Sequence, residues 1–313
     1  MNYEGQICRA PMERSSFMLP LMVGCSYNGC KFCNLFRHLK YRRLSLEEIE
    51  AELKRVKEIG GKPKKIFLGD GNAFDMETDH LVTILDMIKT YFPECECINM
   101  DATVTGILKK SDEELALLYE KGVRHLYLGI ESGLNDVLIF MNKDHNLEQA
   151  YRAIERLHKV GLIYDAHVMT GVAGKGRCME NAKALAECIN STGPAHVVNF
   201  SMFLHTEVPL YRHIKDGTFV AADELETLKE ERLLVELING KDGNEVLYEG
   251  FHDYIEFRVR GSLPKDKEKM LAKLDKVIAE YEKKPPIYTF VSGECPNLEK
   301  CESCEKVWDM QDK

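Results

Sequence analysis

The sequence predicts an α/β protein: an open partial (β/α)6 barrel with a C-terminal helical extension and a cysteine-bearing tail. Three observations carry this reading. Between residues 17 and 220, six short apolar runs alternate with amphipathic stretches, the pattern of parallel strands joined by outer helices. Six such units are too few to close an eight-fold barrel. The first strand also contains Pro20, which cannot donate to a ladder and suits the edge that an open barrel leaves.

The elements follow in order. Residues 17–23 read as the first strand. Residues 45–59 read as a helix, because Leu46, Ile49, Leu53, Val56 and Ile59 recur at three- and four-residue steps. Ser45 and Glu48 fit a capping box, and Gly60 with Gly61 supplies the stop. Strands over 65–68, 98–101, 126–128, 166–169 and 197–203 alternate with helices over 77–92, 111–121, 147–160 and 179–190. Ser111 and Glu114 form a second capping box, and a short helix over 210–215 follows the sixth strand. Past residue 222 helices over 222–238 and 264–283 flank one or two short strands between 246 and 259. The pair Pro285 and Pro286 marks a break. The expected domains are a barrel over 16–220, an α/β extension over 221–284 that closes its open side, and a tail over 285–313.

With 42 Lys and Arg against 51 Asp and Glu in 313 residues, the formal charge is −9. That balance argues against a surface built to neutralise nucleic-acid phosphates. No apolar run reaches the roughly 18 residues of a membrane span, and the first residues carry no apolar signal-peptide core. The expected location is the cytoplasm. In a reducing compartment eleven cysteines point to metal or redox chemistry rather than a disulfide framework.

Cys25, Cys30 and Cys33 form a C-x4-C-x2-C cluster directly after the first strand, at the end where parallel barrels keep their active sites. Three thiolates can hold three irons of a [4Fe–4S] cube. The fourth iron then stays open, as catalytic metal sites do. The alternative is zinc with a remote ligand such as His38. Cys295, Cys301 and Cys304 form a second group, C-x5-C-x2-C, suited to a second Fe–S cluster, to zinc, or to loose thiols, with Cys178 as a candidate further ligand. Cys8, Cys95, Cys97, Cys178 and Cys188 otherwise read as small buried hydrophobes.

Other polar groups stand at strand ends. Gly69, Asp70 and Gly71 follow the second strand, where small residues let a ligand approach the backbone. Asp101 ends the third strand, and Glu131, Ser132 and Gly133 follow the fourth. Read locally, Ser132 caps a helix and Glu131 is merely solvated. His167 lies on the fifth strand and Asn199 on the sixth. The loop over 171–176 lacks the Ser or Thr after Lys175 that a Walker loop needs. His252, Tyr254, Arg258 and Arg260 either face substrate or lie on a solvated strand.

On these residues the sequence resembles the radical S-adenosylmethionine (SAM) superfamily over about residues 16–270. The longer first cysteine spacing is similar to the coproporphyrinogen-oxidase and methylthiotransferase branch, and Phe32 before the third cysteine also fits. The resemblance implies a [4Fe–4S] cluster on Cys25, Cys30 and Cys33, with SAM chelating the open iron. It places Gly69, Asp70 and Gly71 at the SAM amino group and Asp101, Glu131 and Ser132 among its polar contacts. Lys143 falls near the SAM carboxylate, or else is only a surface lysine; His167 stands where relatives often carry Asp, and Asn199 on the adenine side. It further implies cleavage of SAM to a 5′-deoxyadenosyl radical, fed by a low-potential donor such as flavodoxin or ferredoxin. The expected substrate is a small molecule or cofactor-like compound. The alternatives are a peptide or tRNA substrate, or a non-catalytic Fe–S or zinc protein on the same barrel.

Overall fold

The computed structural model describes residue 4 and residues 8–291. Cys295, Cys301 and Cys304 lie outside the described residues. In chain order the strands and helices are β1 (Phe17–Pro20), β2 (Met22–Val23), β3 (Arg42–Arg43), α1 (Leu46–Glu58), β4 (Lys65–Gly69), α2 (Thr78–Tyr91), β5 (Cys97–Ala102), α3 (Val104–Lys109), α4 (Asp112–Glu120), β6 (Val123–Glu131), α5 (Asn135–Phe140), α6 (Leu147–Val160), β7 (Ile163–Thr170), α7 (Cys178–Thr192), β8 (His196–Ser201), α8 (Leu210–Lys215), α9 (Glu224–Leu237), β9 (Val246–His252), β10 (Phe257–Leu263) and α10 (Lys267–Tyr281). Strand and helix alternate, and the strands are mostly parallel, as the sequence predicts for an α/β protein and consistent with a partial (β/α) barrel.

Local chemistry sets the helix ends. Both expected capping boxes form: Ser45 and Glu48 satisfy each other's backbone N–H at the start of α1, and Ser111 and Glu114 do the same for α4. Gly193, at φ +67°, closes α7 in the left-handed conformation. Apolar residues at helical spacing turn inward, as with Ile49, Leu53 and Val56 on α1 and Ala150, Ile154 and Leu157 on α6.

Among the described residues the chain forms two compact units, one within residues 8–129 and 148–165, the other within 130–147 and 166–291. In the first, β1 pairs with β4, β4 with β5 and β5 with β6, all parallel. Leu19, Leu68, Met100 and Leu126 are fully buried, as expected of parallel strands covered on both faces. In the second, β7, β8 and β9 pair in parallel and β10 adds antiparallel to β9. There α9 packs against α7 and α10. The segment after residue 240 thus lengthens the sheet beside β8.

Four details differ from the sequence reading. The run over 17–23 is two strands: β1 runs along β4 as far as Pro20, and Met22 and Val23 pair instead with Arg43 and Arg42. The short helices α3 and α5 were not expected, because six residues show too little periodicity. The strand expected at 126–128 spans nine residues. Polar Arg124 and His125 mask its start, although His125 pairs with buried Asp165 at 2.7 Å. His252 neither faces substrate nor lies on a solvated strand. It is fully buried between Glu224 and Glu231, at 2.7 and 3.0 Å.

Candidate active site

In the first unit the cysteine loop spans residues 24–41 and is closed at its base by the β2–β3 ladder. Its inside is held by side chains. The Arg37 guanidinium donates to the carbonyl oxygens of Cys30 and of Cys33, the latter at 2.7 Å. Asn28, at φ +45°, donates from its side chain to the Phe36 carbonyl at 3.2 Å and aims its backbone N–H at Cys25 Sγ, 3.5 Å away. Phe32 is buried beneath. The thiols of Cys25, Cys30 and Cys33 are half-buried and not in disulfides.

The turn after β4 presses on this loop. A Cβ on Gly71 would lie 2.5 Å from the Gly24 carbonyl oxygen and 3.1 Å from Cys25 Cα. Asn72 then joins three strand ends: its amide donates to Ser26 Oγ at 3.2 Å and to Thr103 Oγ1 at 3.1 Å, and it accepts from the Thr103 N–H. Asn72 carries no motif of its own in the sequence, although it directly follows the Gly-Asp-Gly run. Asp70 is buried and accepts from the Cys8 N–H at 3.2 Å. Cys8 thus contributes its backbone N–H to this surface, while burial pushes its thiol well above the ordinary thiol range.

The charge here is one-sided. Burial pushes the Asp70 carboxyl up to about 6. Burial, then the negative charges of Asp70 and Glu13, push Asp101 up to about 8. Glu13 is itself fully buried and accepts from the amide of Asn99 at 2.7 Å and from the Tyr127 hydroxyl. Among the described residues neither Asp70 nor Asp101 has an ion-pair partner. A ligand bringing an ammonium or sulfonium group would supply the missing positive charge.

The same loop fits an Fe–S cluster: three thiols within nine residues of one braced loop, with a backbone N–H directed at one sulfur. Among the described residues no group of three Cys, His, Asp or Glu is placed to hold a single metal ion. One thiolate per iron, as in a cube, requires no such convergence.

In the second unit Glu131 ends β6 at φ +60°, a conformation that costs a non-glycine residue about 1–2 kcal/mol. Such strain marks positions fixed by their surroundings. Its carboxylate accepts from Lys143 Nζ at 3.2 Å, with the two side chains 12% and 8% exposed. Glu131 is thus not merely solvated and Lys143 is not a surface lysine. Ser132 caps no helix, since α5 starts after Leu134. It is buried and donates to Asn181 Oδ1 at 2.6 Å. His167 meets the edge of the Phe200 ring at 6.1 Å, and burial lowers it to about 4, so it is neutral at pH 7. Asn199 is fully buried; its carbonyl accepts from the Thr170 N–H at 3.1 Å and its amide donates to Glu231 at 2.9 Å.

Comparison with known proteins agrees with this chemistry. The heme chaperone HemW of Bacillus subtilis is 24% identical over 62% of this chain and 51% of its own length. An uncharacterized protein of Methanocaldococcus jannaschii, MJ0486, is also 24% identical, over 58% of this chain and 61% of its own. The chain therefore spans about half to three-fifths of the length of these relatives. Among solved structures, the coproporphyrinogen III oxidase HemN from Escherichia coli, a radical SAM enzyme, superposes with a TM-score of 0.56 at 16% identity, over 71% of this chain and 52% of its own. Methylornithine synthase superposes with a TM-score of 0.51 at 17% identity, over 85% and 84% of the two chains. The Radical SAM superfamily itself matches residues 19–189, more than half of the 313. The chain belongs to the radical SAM superfamily, whose cofactors are a [4Fe–4S] cluster and SAM.

Proposed function

We propose that this enzyme uses radical SAM chemistry on a small-molecule or cofactor-like substrate, in the cytoplasm, with electrons from a flavodoxin- or ferredoxin-like donor. Cys25, Cys30 and Cys33 would each bind one iron. The bound cluster supplies the electron that breaks a sulfur–carbon bond of SAM. The protein's own residues bind and orient: the backbone at Gly69 and Gly71 and the carboxyls of Asp70 and Asp101 take the cationic amino end of SAM. Glu131 accepts from ribose hydroxyls, and Lys143 neutralises the SAM carboxylate. The observation that carries this reading is the close approach of Gly71 to Gly24 beside the buried Asp70 and the part-buried Asp101, neither of which has an ion-pair partner among the described residues.

The acidic balance of −9 favours a small molecule over tRNA. The test is anaerobic reconstitution with iron and sulfide. The expected protein holds about four irons at this site and releases 5′-deoxyadenosine and methionine when reduced with SAM present. Changing Cys25, Cys30 and Cys33 to Ala should abolish both. A site that takes only zinc under strictly anaerobic conditions would overturn the proposal.

A further inference from the structure

We infer that Glu230, on α9, is a positioning residue that sets SAM affinity by holding the turn after β6; this rests on the reading of Glu131 as a SAM contact. Glu230 is fully buried and its two oxygens are divided between the loop after β7 and helix α7. Oε2 accepts from the Gly171 N–H, at the end of β7, at 2.7 Å. Oε1 accepts from the side-chain amide of Asn181, on α7, at 2.7 Å. Asn181 passes the constraint on: its Oδ1 accepts from Ser132 Oγ at 2.6 Å and from the Gly133 N–H at 3.3 Å. Asn181 and Ser132 are as fully buried as Glu230.

The direction of each bond is fixed by chemistry. The Gly133 and Gly171 N–H groups only donate, and the ionised Glu230 carboxylate, whose pKa burial raises to about 7, only accepts, so these directions hold for measurements at pH 8.5. Asn181 must therefore turn its NH2 to Glu230 and its oxygen to the turn. Sterics leave the turn no slack. A Cβ on Gly133 would lie 2.3 Å from the Ala184 carbonyl carbon of α7, and one on Gly171 would lie 2.9 Å from Thr227 Cγ2 of α9. The residue immediately before this clamped Ser132–Gly133 step is Glu131, held at φ +60°. Without the clamp these hydrogen bonds would no longer oppose relaxation of that strained backbone, and the carboxylate would turn with it.

The chain of donors and acceptors dictates a reciprocal test. In Glu230→Gln an amide N–H must face either Gly171 or Asn181, so one bond becomes a donor–donor conflict. In Asn181→Asp two carboxylates face each other. In the double variant these four bonds are restored: the Gln carbonyl accepts from Gly171, its NH2 donates to the Asp, and the Asp accepts from Ser132 and Gly133. SAM dissociation constants measured on anaerobically reconstituted protein should rise about tenfold in each single variant, the scale of one buried hydrogen bond, and return to the wild-type value in the double variant. Amide exchange over residues 131–134, measured without cofactors, should speed up in the single variants and recover in the double. Glu131→Ala is the parallel measurement. If it binds SAM like wild type, the reading of Glu131 fails and this inference falls with it. If it weakens binding while Glu230→Gln does not, or if the double variant stays tenfold weak, the inference alone is overturned. The double variant keeps the test decisive should either single variant fail to fold.

Discussion

Gly71 packs so closely on Gly24 that a methyl group on it would stand 2.5 Å from the Gly24 carbonyl oxygen. The obstacle is backbone, which cannot rotate aside like a side chain. Gly71 also has φ +73°, and Gly60, with φ +81° and open space around its missing Cβ, is a control for that component alone. Gly60→Ala should cost about 1–2 kcal/mol of stability. Gly71→Ala should cost about 1–3 kcal/mol more, from overpacking, and should lower the iron retained after reconstitution. Urea midpoints and iron content check both; equal midpoints would mean that the two loops do not constrain each other.

What was legible in the sequence was local or periodic. The capping boxes of Ser45 and Ser111 involve residues three apart, so the sequence displays them directly, and α6 runs over the expected Leu147–Val160. The cysteine spacing, too, is a local signal. The rest depends on partners distant in sequence. Ser132 looks like a helix cap until Asn181 comes within 2.6 Å of it. Lys143 looks like a surface lysine until Glu131 is turned toward it. Asn72, which ties the cysteine loop to the end of β5, shows no pattern of its own beyond following two glycines.

Glu131 combines an unfavourable backbone conformation with a charge paired to Lys143, and two substitutions separate these components. Glu131→Ala and Glu131→Gly both delete the carboxylate and leave Lys143 without its partner, but only Gly accepts φ +60° without cost. The Gly variant should therefore be the more stable by about 1 kcal/mol, while both lose SAM affinity to the same extent. Urea denaturation and equilibrium dialysis provide the two readouts. An Ala variant as stable as the Gly variant would show that the turn relaxes when the carboxylate goes.

His252 gives the protein a pH-dependent core far from the cysteine loop in sequence. Burial alone would lower its pKa, but the bonds to Glu224 and Glu231 outweigh burial and raise it from 6.5 to about 10. Glu231 also accepts from the Tyr248 hydroxyl at 2.9 Å and from Asn199 at 2.9 Å, so the acid beside the imidazolium is held from several sides. The folded state keeps a proton that the unfolded chain releases between these two values. The group's contribution is therefore complete below pH 6.5 and is lost as pH rises through about 10. His252→Gln removes the cation between two buried acids and should cost about 3–5 kcal/mol near neutral pH. Because Asp101 also titrates in this window, the informative quantity is the difference between wild type and variant, in which its contribution cancels; that of Glu230, whose carboxyl burial raises to about 7 and His252 pulls down, does not, so the difference is read above pH 8. That difference should shrink steadily from pH 8 to pH 9.5 in urea titrations. A difference that stays constant over the range would mean that His252 is neutral in the folded protein.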